Sequence, residues 1–243
     1  MKYDKRMKNE KKNKDIIVLG DIHGTTLWKE VVAQNPDCCY VFLGDYLDPY
    51  IRISDNLLIE NLNEIIEFKK KNSKDVVLLL GNHDGHYFSD FVEQATRYNE
   101  AISTKVAKIF KNNISLFQNA FQIENLLFTH AGVSQKWFVN DFKGKLTENI
   151  AEQLNSPTPD KLPAIGQCGE ARGGFHECGG IYWADESELE YSLQNYIQFV
   201  GHTRVLNKIM LRDNIWFCDA LWEFQQYLKI SSDLQTFDVC KMD

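Results

Sequence analysis

Asp15-Ile16-Ile17-Val18-Leu19-Gly20-Asp21-Ile22-His23-Gly24 is an apolar run that stops at a glycine and passes into a polar cluster. A short continuous run of this kind is the pattern of a strand buried on both faces. Two further stretches repeat it. Cys39-Tyr40-Val41-Phe42-Leu43 leads into Gly44-Asp45-Tyr46-Leu47-Asp48, and the run from Asp75 to Leu80 leads into Gly81-Asn82-His83-Asp84. Helical stretches lie between. One runs from about Thr26 to Gln34. The other opens at Ser54 and Asp55, and in it Leu57, Leu58, Leu62, Ile65, Ile66 and Phe68 recur opposite Glu60, Glu64 and Glu67.

Farther along, the pattern predicts a long helical region from about Asp90 to Lys111. It also predicts a hairpin of Phe121–Ile123 and Leu126–Thr129 across Glu124-Asn125. Residues 140–180 are irregular and hold three of the five prolines and seven of the fourteen glycines, which reads as an insertion or substrate loop. After Ile181-Tyr182-Trp183 come a short helix and strands near Gln198–Val200, Lys208–Leu211, Ile215–Cys218 and Gln225–Ile230. Early βαβ units followed by late antiparallel strands predict an α/β (α+β) protein: a four-layer α/β/β/α sandwich of two packed mixed sheets with helices outside. The expected layout is a basic, disordered tail over 1–14 and a single domain over 15–243.

Composition narrows the function classes. Apolar residues make up 44% and charged residues 25% of 243, which excludes wholesale disorder, collagen-like repeats and a coiled-coil rod. No apolar run approaches the roughly 18 residues of a membrane span. Net charge is −7, yet residues 1–14 carry seven Lys or Arg against Asp4 and Glu10, so the acidity belongs to the rest of the chain. An acidic body argues against broad capture of nucleic acid. The basic head lacks the apolar core of a secretory signal, so a cytoplasmic protein with reduced thiols is expected. The six cysteines form no C-x-x-C pair, and a bridge between Cys168 and Cys178 is not expected.

The chemistry concentrates where the strands end. Thr129-His130-Ala131-Gly132 and Gly201-His202-Thr203 join the first three clusters, so four of the six histidines sit at strand ends beside glycine. Ligands of open α/β sheets bind beyond the carboxyl ends of the strands, which gives all five clusters a reason to converge. Mixed imidazole and carboxylate donors suit divalent Mn, Fe, Zn or Co. Two such ions sharing one carboxylate need about this many donors.

This ordered set of Gly-Asp-x-His-Gly, Gly-Asp-x-x-Asp, Gly-Asn-His-Asp, His-Ala-Gly and Gly-His-Thr resembles the calcineurin-like metallophosphoesterases. Within them it is most similar to the phosphoprotein phosphatase and diadenosine-tetraphosphatase branch. The likeness runs from Asp15 to about residue 219 and includes Ile181-Tyr182-Trp183-Ala184-Asp185, which resembles that branch's apolar-Trp-x-Asp segment. It implies a metal-dependent phosphatase or phosphoesterase with two divalent ions, manganese first, with Fe, Zn, Co or Ni as alternatives. Asp21 and His23 would hold one ion and Asn82, His130 and His202 the other, with Asp45 bridging both. A metal-bridging hydroxide would attack a phosphomonoester in line while His83, with Asp48 as its carboxylate partner, protonates the leaving oxygen.

The implied partner is a phosphorylated small molecule, nucleotide or phosphoprotein. The alternatives are a pyrophosphohydrolase of dinucleoside polyphosphates, a non-catalytic scaffold, and a nuclease using the Lys-rich start.

Two positions depart from the pattern. Many relatives have Asp-Arg-Gly where this chain has Asp48-Pro49-Tyr50, so the usual phosphate-binding arginine is missing; Arg52, Arg172 and Arg204 are candidates to replace it, Arg172 foremost. Asp84 stands where the pattern has glutamate. His86 and Tyr87 are candidates to line the cleft, and Tyr46 and Tyr50 to stack on a substrate ring, with ordinary packing the competing reading. Trp137, Trp216 and Trp222 read as packing residues, and His176 as no ligand.

Overall fold

The computed structural model describes residues 14–242. The basic run therefore lies outside the described residues except for Lys14, whose Nζ donates to Asp75 at 2.8 Å. The strands fall into two mixed sheets. In the first, β1 (Ile16–Leu19), β2 (Cys39–Phe42), β3 (Val76–Leu79) and β4 (Phe117–Gln118) run parallel in that order. β10 (Gln226–Ile230) and β11 (Phe237–Lys241) add antiparallel on the β1 side. The second has the order β5-β6-β7-β9-β8, formed by Ala120–Ile123, Leu126–Thr129, Ile197–Arg204, Ile215–Asp219 and Met210–Arg212 respectively. In it β6, β7 and β9 are parallel, and β5 and β8 flank them antiparallel.

Every residue of β1, β2, β3 and β6 is buried, because both faces of these strands are covered. Alternate side chains sort into two apolar layers. Ile16, Val18, Val41, Leu43, Val77 and Leu79 meet Phe128, Phe199, Val200 and Phe217 of the facing sheet; the Phe128 and Phe199 rings stack at 4.5 Å. Ile17, Leu19, Phe42 and Leu78 point the other way. They pack against Trp28 and Val31 of α1 (Trp28–Gln34) and Leu58, Leu62, Ile65 and Ile66 of α2 (Asp55–Lys71). Outside the second sheet lie α5 (Gln135–Asn140) and α6 (Ile150–Asn155), which bury Trp137, Phe138, Ile150 and Leu154. The result is the expected sandwich of two packed mixed sheets with helices outside.

Three local expectations are corrected. The helix predicted from Asp90 starts only at Glu100, as α4 (Glu100–Asn113); residues 90–99 form a loop in which Arg97 takes a left-handed φ of 62° that no helix accommodates. Tyr46 cannot stack on a substrate ring: it is 1% exposed, its hydroxyl donates to the Leu79 carbonyl and its ring packs on Phe117. The late strands are not antiparallel throughout: β6, β7 and β9 run parallel because crossovers longer than a hairpin join them, and β4 and β11 are further strands beyond those expected.

Candidate metal centre

The parallel arrangement of β1, β2 and β3 brings their carboxyl ends to one rim, and that of β6 and β7 brings theirs to the same place. Asp21 and His23 follow β1, and Asp45 and Asp48 follow β2. Asn82 and His83 open α3 (Asn82–Gly85) after β3, His130 follows β6, and His202 sits where β7 bulges against β9. The loops are tied directly, since the Ile22 and His23 amides both donate to the Asp45 carbonyl, at 3.1 and 2.7 Å. Glycine is required at two points. A Cβ at Gly81 would lie 2.1 Å from Asp45 Oδ1 and 2.7 Å from the His130 ring, and one at Gly201 would lie 2.1 Å from Asp21 Oδ1.

The donor atoms gather into two overlapping groups. Those of Asp21, His23 and Asp45 lie within 4.8 Å of one another, as do those of Asp45, His130 and His202. Asp45 belongs to both. Asn82 Oδ1 completes the second group, 2.9 Å from His130 Nε2 and 3.1 Å from His202 Nδ1.

Hydrogen bonds set the direction of the rings. His23 Nδ1 lies 2.7 Å from the Leu47 carbonyl and His130 Nδ1 2.8 Å from the Leu43 carbonyl. A carbonyl only accepts, so each Nδ1 carries the proton and each Nε2 faces the carboxylates. Ligating histidines are ordinarily held in this way. Backbone geometry is set as sharply: His23, Asp45, Asp48 and His202 all have left-handed φ, between 43° and 59°. Such strain costs on the order of 1–3 kcal/mol per residue and clusters at functional sites.

These residues fit a pair of divalent cations. Asp21, Asp45 and Asp219, at the end of β9, are carboxyl groups buried in one neighbourhood. Burial and the nearby Asp219 push Asp21 well above the usual carboxylate range, and burial with the Asp45 charge pushes Asp219 up to about 7. Burial opposes ionisation of Asp45 too, but His130, His83 and His23 hold it well below that range. Burial opposes a charge on His130, yet Asp45 raises it to about 10, so this ring supplies positive charge where a cation would sit. Burial lowers His23 to about 4, leaving a neutral ring with a free lone pair. His202 Nε2 is buried with no hydrogen-bond partner among the described residues. Buried carboxylates around an orphaned imidazole nitrogen call for a cation.

His83 and Asp48 form an adjoining unit. His83 Nδ1 lies 2.9 Å from Asp48 Oδ2, and the His83 amide donates to Asp45 Oδ1 at 2.9 Å. Tyr87 lines a cavity of about 490 Å³ with Tyr98, Ser103 and Lys108, away from the two donor groups. His86 and Tyr87 are both turned inward onto Asp48: His86 Nε2 lies 2.9 Å from Oδ2, and the Tyr87 hydroxyl donates to Oδ1. Burial works against the Asp48 charge, but these hydrogen bonds lower its pKa nonetheless.

The predicted arginines are placed differently from one another. Arg172 approaches the second donor group, where it donates to Thr203 Oγ1 at 3.0 Å, but its Nε pairs with Asp185 at 2.8 Å. Arg204 pairs with Glu223. Arg52 is exposed. His176 is exposed and joins neither donor group.

Sequence reasoning missed Arg97, which lies against Asp48 and His83, and Asp219. A strand-ending carboxylate, the feature that marked Asp21 and Asp45, could have found Asp219. Nothing in the sequence marks Arg97.

A model of the calcineurin-like phosphoesterase family matches residues 14–205. Two solved structures share the fold. A single-site mutant of a cold-active protein tyrosine phosphatase is 17% identical, with 93% of this chain and 80% of that one covered and a TM-score of 0.57. A protein serine/threonine phosphatase from Saccharomyces cerevisiae with similarity to human phosphatase PP5 is 15% identical, with 96% and 81% covered and a TM-score of 0.56. No helix among the described residues is long and apolar enough to cross a membrane.

Proposed function

This chain belongs to the calcineurin-like phosphoesterase family, and from that premise we propose that it hydrolyses phosphomonoesters with two divalent cations, manganese first among them. The observation that carries the reading is the position of Asp45 in both donor groups. Asp21 and His23 would hold one ion with it, and Asn82, His130 and His202 the other. When bound, such a pair supplies an activated water and offsets the charge of the phosphoryl oxygens.

The chain's own residues do the rest. Asp48 accepts from His83 Nδ1 and so fixes the ring, leaving Nε2 to give a proton to the departing oxygen. Tyr87 and His86 hold Asp48 in turn. The glycines at 81 and 201 keep the donors at their spacing. We take residues 15–243 as one domain of this family, with 140–180 as an irregular insertion.

The test is the rate of p-nitrophenol release from its phosphate monoester and bis-ester, each with Mn²⁺ and with chelator. Chelator-sensitive monoester cleavage well above the bis-ester rate is expected, and bis-ester preference would overturn the reading.

A second reading, hydrolysis of dinucleoside polyphosphates, draws on an aromatic shelf. Tyr50 is 40% exposed, its ring lies 6.2 Å from that of Trp222, and Trp222 lines a cavity of about 440 Å³ with Ile51, Leu57 and Lys29. Such a shelf suits a nucleobase. Turnover of diadenosine tetraphosphate without turnover of the monoester would favour it.

A further inference from the structure

Near the end of the loop 90–99 lies an arginine that is held in place without being neutralised. Arg97 Nε donates to the Asp48 carbonyl at 2.9 Å. Its guanidinium lies 3.9 Å from the centre of the Tyr50 ring, and that ring makes an edge contact with His23 at 4.8 Å. One terminal nitrogen comes to 3.4 Å from His83 Nε2, and the other reaches only Thr96 Oγ1, at 3.4 Å. Among the described residues no carboxylate pairs with it, whereas Arg172 and Arg204 each have one.

The guanidinium makes only a long contact with His83 Nε2, at the limit of hydrogen bonding, and keeps donor N–H groups to spare. It is kept there by a left-handed backbone φ of 62°, a conformation that costs an arginine energy. That strain has a use if an anion bridges the guanidinium and the edge of the His83 ring. An anion there would touch the terminal nitrogens of Arg97 on one side and His83 Nε2 on the other, beside the donor group of Asp21, His23 and Asp45. The Asp48 carbonyl and the Tyr50 ring would orient the planar fork, so that little freedom is lost when it binds.

We propose that Arg97 binds the phosphoryl group of the substrate, in place of the arginine whose position Pro49 occupies. Two terminal nitrogens free of carboxylate match two oxygens of a terminal phosphate. A diester has one charge less and only two unesterified oxygens to share between the cations and the fork, so Arg97 also sets the preference for monoesters. The proposal rests on the phosphomonoester reading above.

The experiment titrates inorganic phosphate into Mn²⁺-loaded wild type, Arg97→Ala and Arg97→Lys by calorimetry, with metal content measured in each. KM for p-nitrophenyl phosphate is determined alongside. Arg97→Ala is expected to weaken phosphate binding by about 10- to 100-fold at unchanged metal content, with Arg97→Lys in between and KM moving in step. Equal phosphate affinity in wild type and Arg97→Ala would overturn the proposal, as would a wild type that holds metal but no phosphate. Loss of metal together with phosphate in Arg97→Ala would also overturn it, because the arginine would then act through the metal centre. Absence of monoester turnover in wild type would remove the functional reading, while the calorimetric difference would still decide the assignment of Arg97.

Discussion

Asp84 grips Asp45 by its backbone: its Oδ2 accepts the Asp45 amide at 2.8 Å, and its Oδ1 accepts the next amide, that of Tyr46, at 2.9 Å. The same Oδ2 also accepts the Gly81 amide at 2.9 Å. One carboxyl group thus ties the loop after β2 to the loop after β3, and it does so where Asp45 takes its left-handed φ.

Replacing Asp84 with Asn should therefore loosen the centre from beneath. Asn offers one acceptor oxygen, so one of three buried N–H groups loses its partner, at a cost of about 1–3 kcal/mol. The expected result is a lower melting temperature together with weaker metal binding. An unchanged melting temperature would refute this account of the fourth residue in Gly81-Asn82-His83-Asp84.

Asp45→Asn should weaken the binding of both ions together, by at least about 100-fold, because the lost charge serves both donor groups. Metal content per chain after dialysis measures it. Two ions still bound, with full activity, would contradict the shared role.

His83→Asn should leave metal content unchanged and slow turnover by about 10²–10⁴-fold for esters with poor leaving groups. A series of aryl and alkyl phosphates reads the effect, which should shrink as the leaving oxygen becomes more acidic. A uniform loss across the series would exclude proton donation.

Asp219 predicts a pH effect on the metal-free protein. Burial and the Asp45 charge push it up to about 7, against about 3.9 for a free aspartate. The folded chain holds this proton more tightly than the unfolded chain does. Its stabilisation is complete below about pH 4 and is lost as the pH rises through about 7. In chelator, Asp219→Asn should raise the melting temperature at about pH 8 and change it little at about pH 4. Equal gains at both pH values would show that the charge of Asp219 is not the cause.

Much of this centre is legible in the sequence. Asp21, His23, Asp45, Asn82, His130 and His202 stand at the ends of apolar runs, and parallel strands must bring such ends together. The residues around them carry no comparable signal. Arg97 lies in a stretch whose apolar spacing reads as helix, and only the left-handed turn there brings it back to Asp48. His86 and Tyr87 follow a motif closely enough to suggest a surface role, yet the turn of α3 swings both inward onto one carboxylate. Asp219 stands alone after β9, and its significance comes from Asp21 and Asp45, which are distant in sequence.

The two sheets meet through a layer of apolar side chains, and such contact is non-directional: it holds surfaces together without fixing how they are rotated. At the rim the situation changes, because Asp21, Asp45 and Asn82 hang from one sheet and His130 and His202 from the other. Whatever sits among these side chains touches both layers at once. Its arrival adds to the bonds that already cross there, such as that from the His202 amide to Asp21, and pins the sandwich like a pivot at one end.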